Sequence, residues 1–301
     1  MSIQRVSDAQ TFALLNQRAA ALEVQIRRLQ RQVTSGTLYA SPEENPAAAT
    51  RILRSRADLS ALGQYGDSAR FGVQILGAQD KALGEAGALM TRAEEIAAQM
   101  SSGLISAEQR LAAAEEVHGI LEGLTSLGNA ELAGRRLFGG LALDAPAPFA
   151  DPDTPGWDPA TAYTGSTQEF FVKIGGGATE RVRLSTDGDA VFEDALTGVA
   201  ALETALRTNG DVSATVAGLV QGRDTIAAER ASVGARQAQL VERDDQVGAT
   251  VLREQTALAD VEDADLVVVI SQLVQAQTAL QATLQAATRV IQTNLANLVS
   301  I

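Results

Sequence analysis

The chain has 301 residues, a formal net charge of -13, no cysteine, and only 4% aromatic residues beside 46% hydrophobic ones. The charge argues against nucleic acid or an anionic membrane as the main partner, and the missing cysteines exclude disulfides, thiolate metal sites and cysteine nucleophiles. Plentiful Ala, Leu, Gln and Arg with so few aromatics points to helices packed on helices, in a chain long enough for two or three domains.

Met1 to Gln10 lacks a basic segment followed by an apolar core, so no Sec-type signal peptide is expected. The first long pattern is Phe12, Leu15, Ala19, Leu22, Ile26, Leu29 and Val33, whose steps alternate three and four, the spacing of a coiled-coil seam. Thr34-Ser35-Gly36 ends it, with Gly36 suited to a left-handed cap. Ser41-Pro42-Glu43-Glu44 reads as a helix start, and Asn45-Pro46 offers the same chemistry four residues later; the choice stays open. The helix that follows runs to about Ser102, with Gly103 as its stop. It carries Leu59, Leu62, Ala69, Val73, Leu76, Leu83 and Met90 on one face. Its several glycines require it to be held by neighbours.

Ser106-Ala107-Glu108-Gln109 is a second capping box, opening a helix with Leu111, Val117, Leu121 and Leu124 that ends near Gly128-Asn129. Leu143 to Gly165 is loop, since Pro146, Pro148, Pro152, Pro155 and Pro159 all fall there. Phe170, Val172 and Ile174 alternate with polar residues, as do Val182 and Leu184, with Gly175-Gly176-Gly177 between; this predicts a β-hairpin. Helix returns by Phe192. Further on, Ile226, Val233, Leu240 and Val247 recur every seventh residue, followed by Val251 and Leu258. Last come Leu266, Ile270, Leu273, Gln277, Leu280, Leu284, Ala287, Ile291, Asn294, Leu298 and Ile301, alternating four and three, with Gln277 and Asn294 as polar seam positions that set register.

The fold class read from these patterns is mainly α: a long antiparallel helical bundle or coiled coil formed by the N- and C-terminal regions, with a small β-containing insert in the middle. Three domains are expected: 1–40 with 261–301, 41–140 with 190–260, and the insert 141–189. The two end seams are expected to be mates. The seam residues Leu15, Leu22, Ile26, Leu29, Val33, Leu266, Ile270, Leu273, Leu280, Leu284, Ile291 and Leu298 are the expected assembly interface. No apolar run reaches the length of a membrane span, the longest being Leu266 to Ile270, so no membrane insertion is expected.

Chemistry is sparse. His118 is the only histidine and, with no cysteine in the chain and a place on a helix whose apolar stripe includes Val117 and Leu121, reads as a surface or boundary residue. Gly175-Gly176-Gly177 lacks a following Lys-Ser/Thr and reads as a turn, not a phosphate loop. Asp187-Gly188-Asp189 reads as a turn into a helix, not a calcium loop. Glu262, Asp263 and Asp265 suit a helix start. Arg27, Arg28, Arg31, Arg51, Arg54 and Arg56 read as solvated helix faces. No catalytic, cofactor or metal site is expected, and the chain reads as a structural protein.

Ser35-Gly36, Ser41-Pro42-Glu43-Glu44-Asn45-Pro46-Ala47-Ala48-Ala49, Gly128-Asn129 with Gly134-Arg135-Arg136-Leu137-Phe138-Gly139-Gly140, and Val261 to Leu266 together resemble the axial proteins of the flagellin superfamily. The resemblance covers about residues 1–140 and 190–301. The helix lead-in at Ser41 and the Leu137-Phe138-Gly139-Gly140 turn are closer to the hook–filament junction members than to flagellins; a short or minor flagellin is the alternative, and a soluble helical-hairpin signalling protein a more distant one. The resemblance implies terminal helices lining an inner tube and an insert facing outward. It implies assembly with copies of itself, with hook-associated protein 1 and with flagellin, and an export chaperone on the last helix. It also implies type III export to the flagellum without a cleaved signal.

Overall fold

The computed structural model describes residues 2–39, 41–101, 105–141 and 146–299, without the side chains of residues 2–9, 291 and 293–299. Its elements are α1 (Ser2–Ser35), α2 (Pro46–Met100), α3 (Ala107–Gly128), β1 (Glu131–Leu132), β2 (Arg135–Arg136), β3 (Phe171–Lys173), β4 (Arg181–Arg183), α4 (Gly188–Arg207), a 3-10 turn (Val212–Thr215), α5 (Val216–Glu262) and α6 (Leu266–Val299). The fold is mainly α with two small antiparallel hairpins, β1–β2 and β3–β4. It divides into two compact units, residues 1–60 with 251–301 and residues 61–250.

The helix ends follow from local chemistry. Asn45, not Ser41, caps α2: its Oδ1 accepts the Ala48 N–H at 3.1 Å and Pro46 takes the first helical position, while Ser41 to Glu44 closes a turn through the Glu44 N–H and the Ser41 carbonyl. Ser106 and Gln109 form the expected reciprocal capping box on α3. Asp187 caps α4, accepting from the Asp189 N–H at 3.1 Å, so Asp187-Gly188-Asp189 is a helix start. Gly36 follows α1 with φ 72°, its N–H donating to the Gln32 carbonyl. Gly103, expected to stop α2, lies outside the described residues.

Within residues 61–250 two seven-residue stripes meet. On α5 the stripe is Leu219, Ile226, Val233, Leu240 and Val247; on α2 it is Ala69, Leu76, Leu83, Met90 and Ala97. All ten are buried, and the contact is antiparallel, as three ion pairs across it show: Arg70 with Asp244 at 2.8 Å, Arg230 with Asp80 at 2.9 Å, and Arg223 with Glu94 at 2.9 Å. α3 and α4 pack together and onto this pair through Ala114, Val117, Leu121 and Leu124, and through Ala195, Leu196, Val199, Leu202 and Leu206. Leu111, expected on the apolar face of α3, is instead 49% exposed; the buried face runs through Ala113, Ala114 and Val117, half a turn round.

Residues from the segment 146–189 contribute to that core. Val172, Ile174, Val182 and Leu184 point inward from the predicted β3–β4 hairpin. Phe149 packs on Phe192 (ring centroids 5.7 Å) and Tyr163 (5.1 Å), and Phe138 meets Phe192 edge-on at 5.1 Å. Asn129 pairs with the backbone of Phe149 as a strand would, donating from Nδ2 at 2.9 Å and accepting at Oδ1 at 2.8 Å. Tyr163 donates to the Phe138 or Ser166 carbonyl, both at 3.1 Å, and burial, with the charge of Asp187 behind it, pushes its phenol up to about 12. A Cβ at Gly140 would overlap the Ser166 carbonyl oxygen, which is why the Leu137-Phe138-Gly139-Gly140 turn ends on glycine.

α4 crosses α5 where both are thin. A Cβ on Gly222 would lie 2.6 Å from the Ala195 Cα and 2.7 Å from its nitrogen, both backbone atoms that cannot swing away. Gly222→Ala is therefore expected to destabilise the full chain by about 1–3 kcal/mol in urea unfolding. Gly87→Ala, on the same type of helix but with nothing within 4 Å of the new methyl, is expected to stabilise it by about 0.5–1 kcal/mol.

Candidate assembly surface

The terminal unit is built on α1 and α6, each 34 residues long. They pack antiparallel on each other, with Leu29, Val269 and Ala276 as the buried centre and Ile26, Val33, Ala264 and Leu273 around it. The chain fastens this pair where α1 ends and α6 begins. The Leu38 N–H donates to the Glu262 carbonyl at 2.8 Å, the Ala264 N–H to the Gly36 carbonyl at 2.9 Å, and Gln32 Nε2 to the Leu38 carbonyl at 2.7 Å. Asp265 caps α6, accepting from the Val267 and Val268 N–H groups at 3.0 and 3.2 Å. Glu262 closes α5 and takes an ion pair from Arg56; Arg31 reaches Glu44 and Arg27 lies on Glu23.

On α1 the stripe Phe12, Leu15, Ala19, Leu22, Ile26, Leu29 and Val33 is the covered one: Ala19 and Leu29 are buried and the rest half-buried. On α6 the covered stripe is Val269, Leu273, Ala276, Leu280, Thr283, Ala287 and Val290. It shares Leu273, Leu280 and Ala287 with the stripe read from sequence and is otherwise displaced by one residue. Leu266, Ile270 and Leu284 are 44, 47 and 51% exposed, and Gln277 is exposed, so these four do not belong to the α1 seam. Ile291 and Leu298 lie on α6 with side chains outside the described residues, as does that of Asn294, and Ile301 lies outside them altogether. The physical reason for the displacement is that α6 is apolar over two adjacent stripes. The one α1 takes is the smoother, with small Ala276 and Ala287 allowing close approach. The other carries the Gln277 amide, which would need a partner if buried there.

Sequence reasoning missed the consequence: α6 keeps an uncovered apolar stripe beside its covered one. Val267 at 77% and Val274 at 55% exposure extend Leu266, Ile270 and Leu284. The signal was present, since Leu266 to Val299 contains a single charged residue, Arg289. Leu266–Val290, with mean hydropathy 1.2, is also long and apolar enough by length and composition to cross a membrane, which corrects the expectation that no such segment exists. Its amides Gln272, Gln275, Gln277, Gln281 and Gln285 spread around the helix, a pattern costly in hydrocarbon but suited to contact with other helices.

His118 also departs from expectation. Its Nδ1 lies 3.1 Å from Glu203 and its Nε2 3.1 Å from Asp153 and 3.9 Å from Glu122, so an acidic cluster surrounds it. Both ring nitrogens face carboxylates rather than a hydroxyl, an arrangement unlike a Ser-His-acid triad.

Residues 7–142 match the family model described as the bacterial flagellin N-terminal helical region. The chain is 25% identical over 277 residues to the flagellar hook-associated protein 3 of Salmonella typhimurium, covering 85% of this chain and 87% of that protein. Its fold is that of a putative flagellar hook-associated protein from Vibrio parahaemolyticus, with a TM-score of 0.64 at 17% identity over 73% of this chain and all of that one. A flagellar junction protein from Legionella pneumophila superposes with a TM-score of 0.55 at 12% identity, over 71% of this chain and 100% of that chain.

Leu29→Asp places a carboxylate at the buried centre of the α1–α6 pair. Backbone amides of α1 and α6 are expected to exchange with deuterium at least tenfold faster, while those of residues 61–250 keep their protection; hydrogen-exchange mass spectrometry reads both in one sample.

Proposed function

We infer that this chain, similar over most of its length to flagellar hook-associated protein 3, is a structural subunit of the bacterial flagellum at the junction between hook and filament. The observation that carries the reading is the 277-residue match, which covers 85% of this chain and 87% of that protein. The surface of α6 supports it physically. Half-exposed Ile270 and Leu284 each leave on the order of 1 kcal/mol of burial available to a neighbour. A second copy of the chain supplies that neighbour, and repetition around a ring covers the stripe on every subunit.

In this reading α1 and α6 line an inner tube, and α2 to α5 with the β3–β4 hairpin form the surrounding layer. Hook-associated protein 1 and flagellin are the neighbours along the axis. The chain travels unfolded through the flagellar type III apparatus without a cleaved signal, and a chaperone covers α6 until assembly. A half-covered helix with a single charged residue is the element of this chain in most need of such cover.

A deletion strain is expected to keep its hooks while losing filaments and releasing unpolymerised flagellin into the medium. Loss of flagellin from filament and medium alike would make the chain the filament subunit instead. Complementation with the Ile270→Asp or Leu284→Asp variant is expected to restore no motility although the purified variants keep wild-type helicity by circular dichroism. Normal swimming in both variants would remove α6's uncovered stripe from the assembly interface.

A further inference from the structure

We propose that His118, Glu122 and Asp153 form a binding site for a divalent transition-metal ion of the zinc type, oriented by Glu203. The site lies in residues 61–250 and is independent of the terminal helices and of the junction reading. His118 and Glu122 stand one turn apart on α3, whose buried face carries Val117, Leu121 and Leu124. Asp153 comes from the loop after Phe149. That loop is held by the Asp153 N–H to Asp151 Oδ1 at 3.0 Å, by the Thr154 N–H to the Asp151 carbonyl at 3.0 Å, and by Trp157 Nε1 to the Ala150 carbonyl at 3.1 Å. His118 Nε2 and one oxygen of each carboxylate all lie within 4.8 Å of one another. Ligands about 2 Å from a tetrahedral ion stand roughly 3.3 Å apart, so movements of a few tenths of an ångström to about 1.5 Å bring these three onto it and leave a fourth position for water.

The hydrogen bonding selects the nitrogen. Glu203 on α4 is the less exposed carboxylate and faces Nδ1 at 3.1 Å; Arg207 donates to it at 2.9 Å and to Glu115 at 2.9 Å, which holds Glu203 in place. The Nδ1–H therefore donates to Glu203, and the Nε2 lone pair is directed at Asp153. A lone pair facing a carboxylate oxygen at 3.1 Å is two acceptors in contact, so a positive species belongs between them. A proton joins only Nε2 and Asp153 and leaves Glu122, at 3.9 Å, beyond hydrogen-bond reach. A divalent ion takes all three. This is the carboxylate–histidine–metal arrangement in which an outer carboxylate fixes the tautomer and raises the basicity of the ligand. The imidazole favours zinc, nickel, cobalt or copper over magnesium and calcium. When bound, the ion fastens the proline-rich loop to α3 and, through the His118–Glu203 contact, to α4.

The proton is the competitor. Burial alone lowers the His118 pKa, but the hydrogen bond and charge of Glu203, with Asp153 and Glu122 behind them, outweigh it and leave the net shift upward. Metal affinity accordingly falls as pH drops through that raised value.

His118 being the only histidine, its imidazole resonances report on this site alone in the untagged full-length protein. Zinc chloride titration is expected to shift or broaden those resonances at 1:1 stoichiometry and to raise the thermal midpoint, with binding at pH 5 at least tenfold weaker than at pH 7.5 by calorimetry. Asp153→Asn and Glu122→Gln, both exposed, are expected to lower zinc affinity at least tenfold with unchanged helicity. Glu203→Gln is expected to lower it about tenfold and to lower the pKa of the imidazole measured without metal. The proposal is overturned if zinc fails to bind at millimolar concentration, if it binds with the His118 resonances unmoved, if Asp153→Asn binds it as the wild type does, or if calcium binds equally tightly.

Discussion

A helix with a single neighbour can bury only one stripe of its surface. That constraint governs the terminal unit, where α1 and α6 are each other's principal partner and each retains apolar side chains that the other does not reach. In residues 61–250 the constraint is lifted, because α2 and α5 meet stripe to stripe while α3, α4 and the hairpin cover their remaining faces. Leu76, Leu83, Met90, Leu219, Val233 and Leu240 are fully buried there, whereas Leu29 and Val269 at the centre of the terminal pair still show 5% and most of their neighbours far more. One unit completes its core within the chain. The other leaves apolar side chains of both its long helices exposed.

Completing the central core brings a polar cost, since the hairpin and the Leu137 turn carry backbone carbonyls into it. Gln79, fully buried on α2, meets that demand by donating from Nε2 to the Leu137 carbonyl at 2.8 Å and to the Leu184 carbonyl at 3.0 Å. Its Oε1 accepts from Thr186, which also lies within reach of Glu229, and Glu229 is paired with Arg236. Arg236 donates in turn to the Arg183 and Ser185 carbonyls. One glutamine and one arginine thus tie the loop backbone to both central helices, so hairpin and helix pair are fastened by bonds as well as by contact.

What was legible in the sequence was what is local or strictly periodic. The seven-residue stripe of α5, the caps at Ser106 and Gly36 and the alternation around Val172 and Val182 depend on neighbours within a few residues, and all appear as read. The choice between Ser41 and Asn45 as cap, and the register of α6, turn on competition between near-equal local options that only packing resolves. The His118 cluster was hidden for another reason: Asp153 and Glu203 lie 35 and 85 residues away, and nothing in their local patterns marks them as its partners. Gln79 was hidden likewise, a polar residue on a helix face whose need for it comes from loops 58 and 105 residues distant.

The surface chemistry of α6 bears on the assembly proposed for it. Four of its hydroxyls already have acceptors inside the helix: Ser271 donates to the Val267 carbonyl, Thr278 to Val274, Thr283 to Ala279 and Thr288 to Leu284, all at 2.8–2.9 Å. Such groups enter an interface without demanding a new partner. With Arg289 the single charge between Leu266 and Val299, the cost of desolvating ions is nearly absent from this helix. The glutamine amides are what remains. Each needs a hydrogen bond when covered, so in the proposed assembly Gln277, standing in the uncovered stripe between Ile270 and Leu284, would favour the register in which a neighbouring helix offers it a partner. In that assembly the apolar residues of the stripe would supply the attraction, and the amide among them would discriminate between ways of satisfying it.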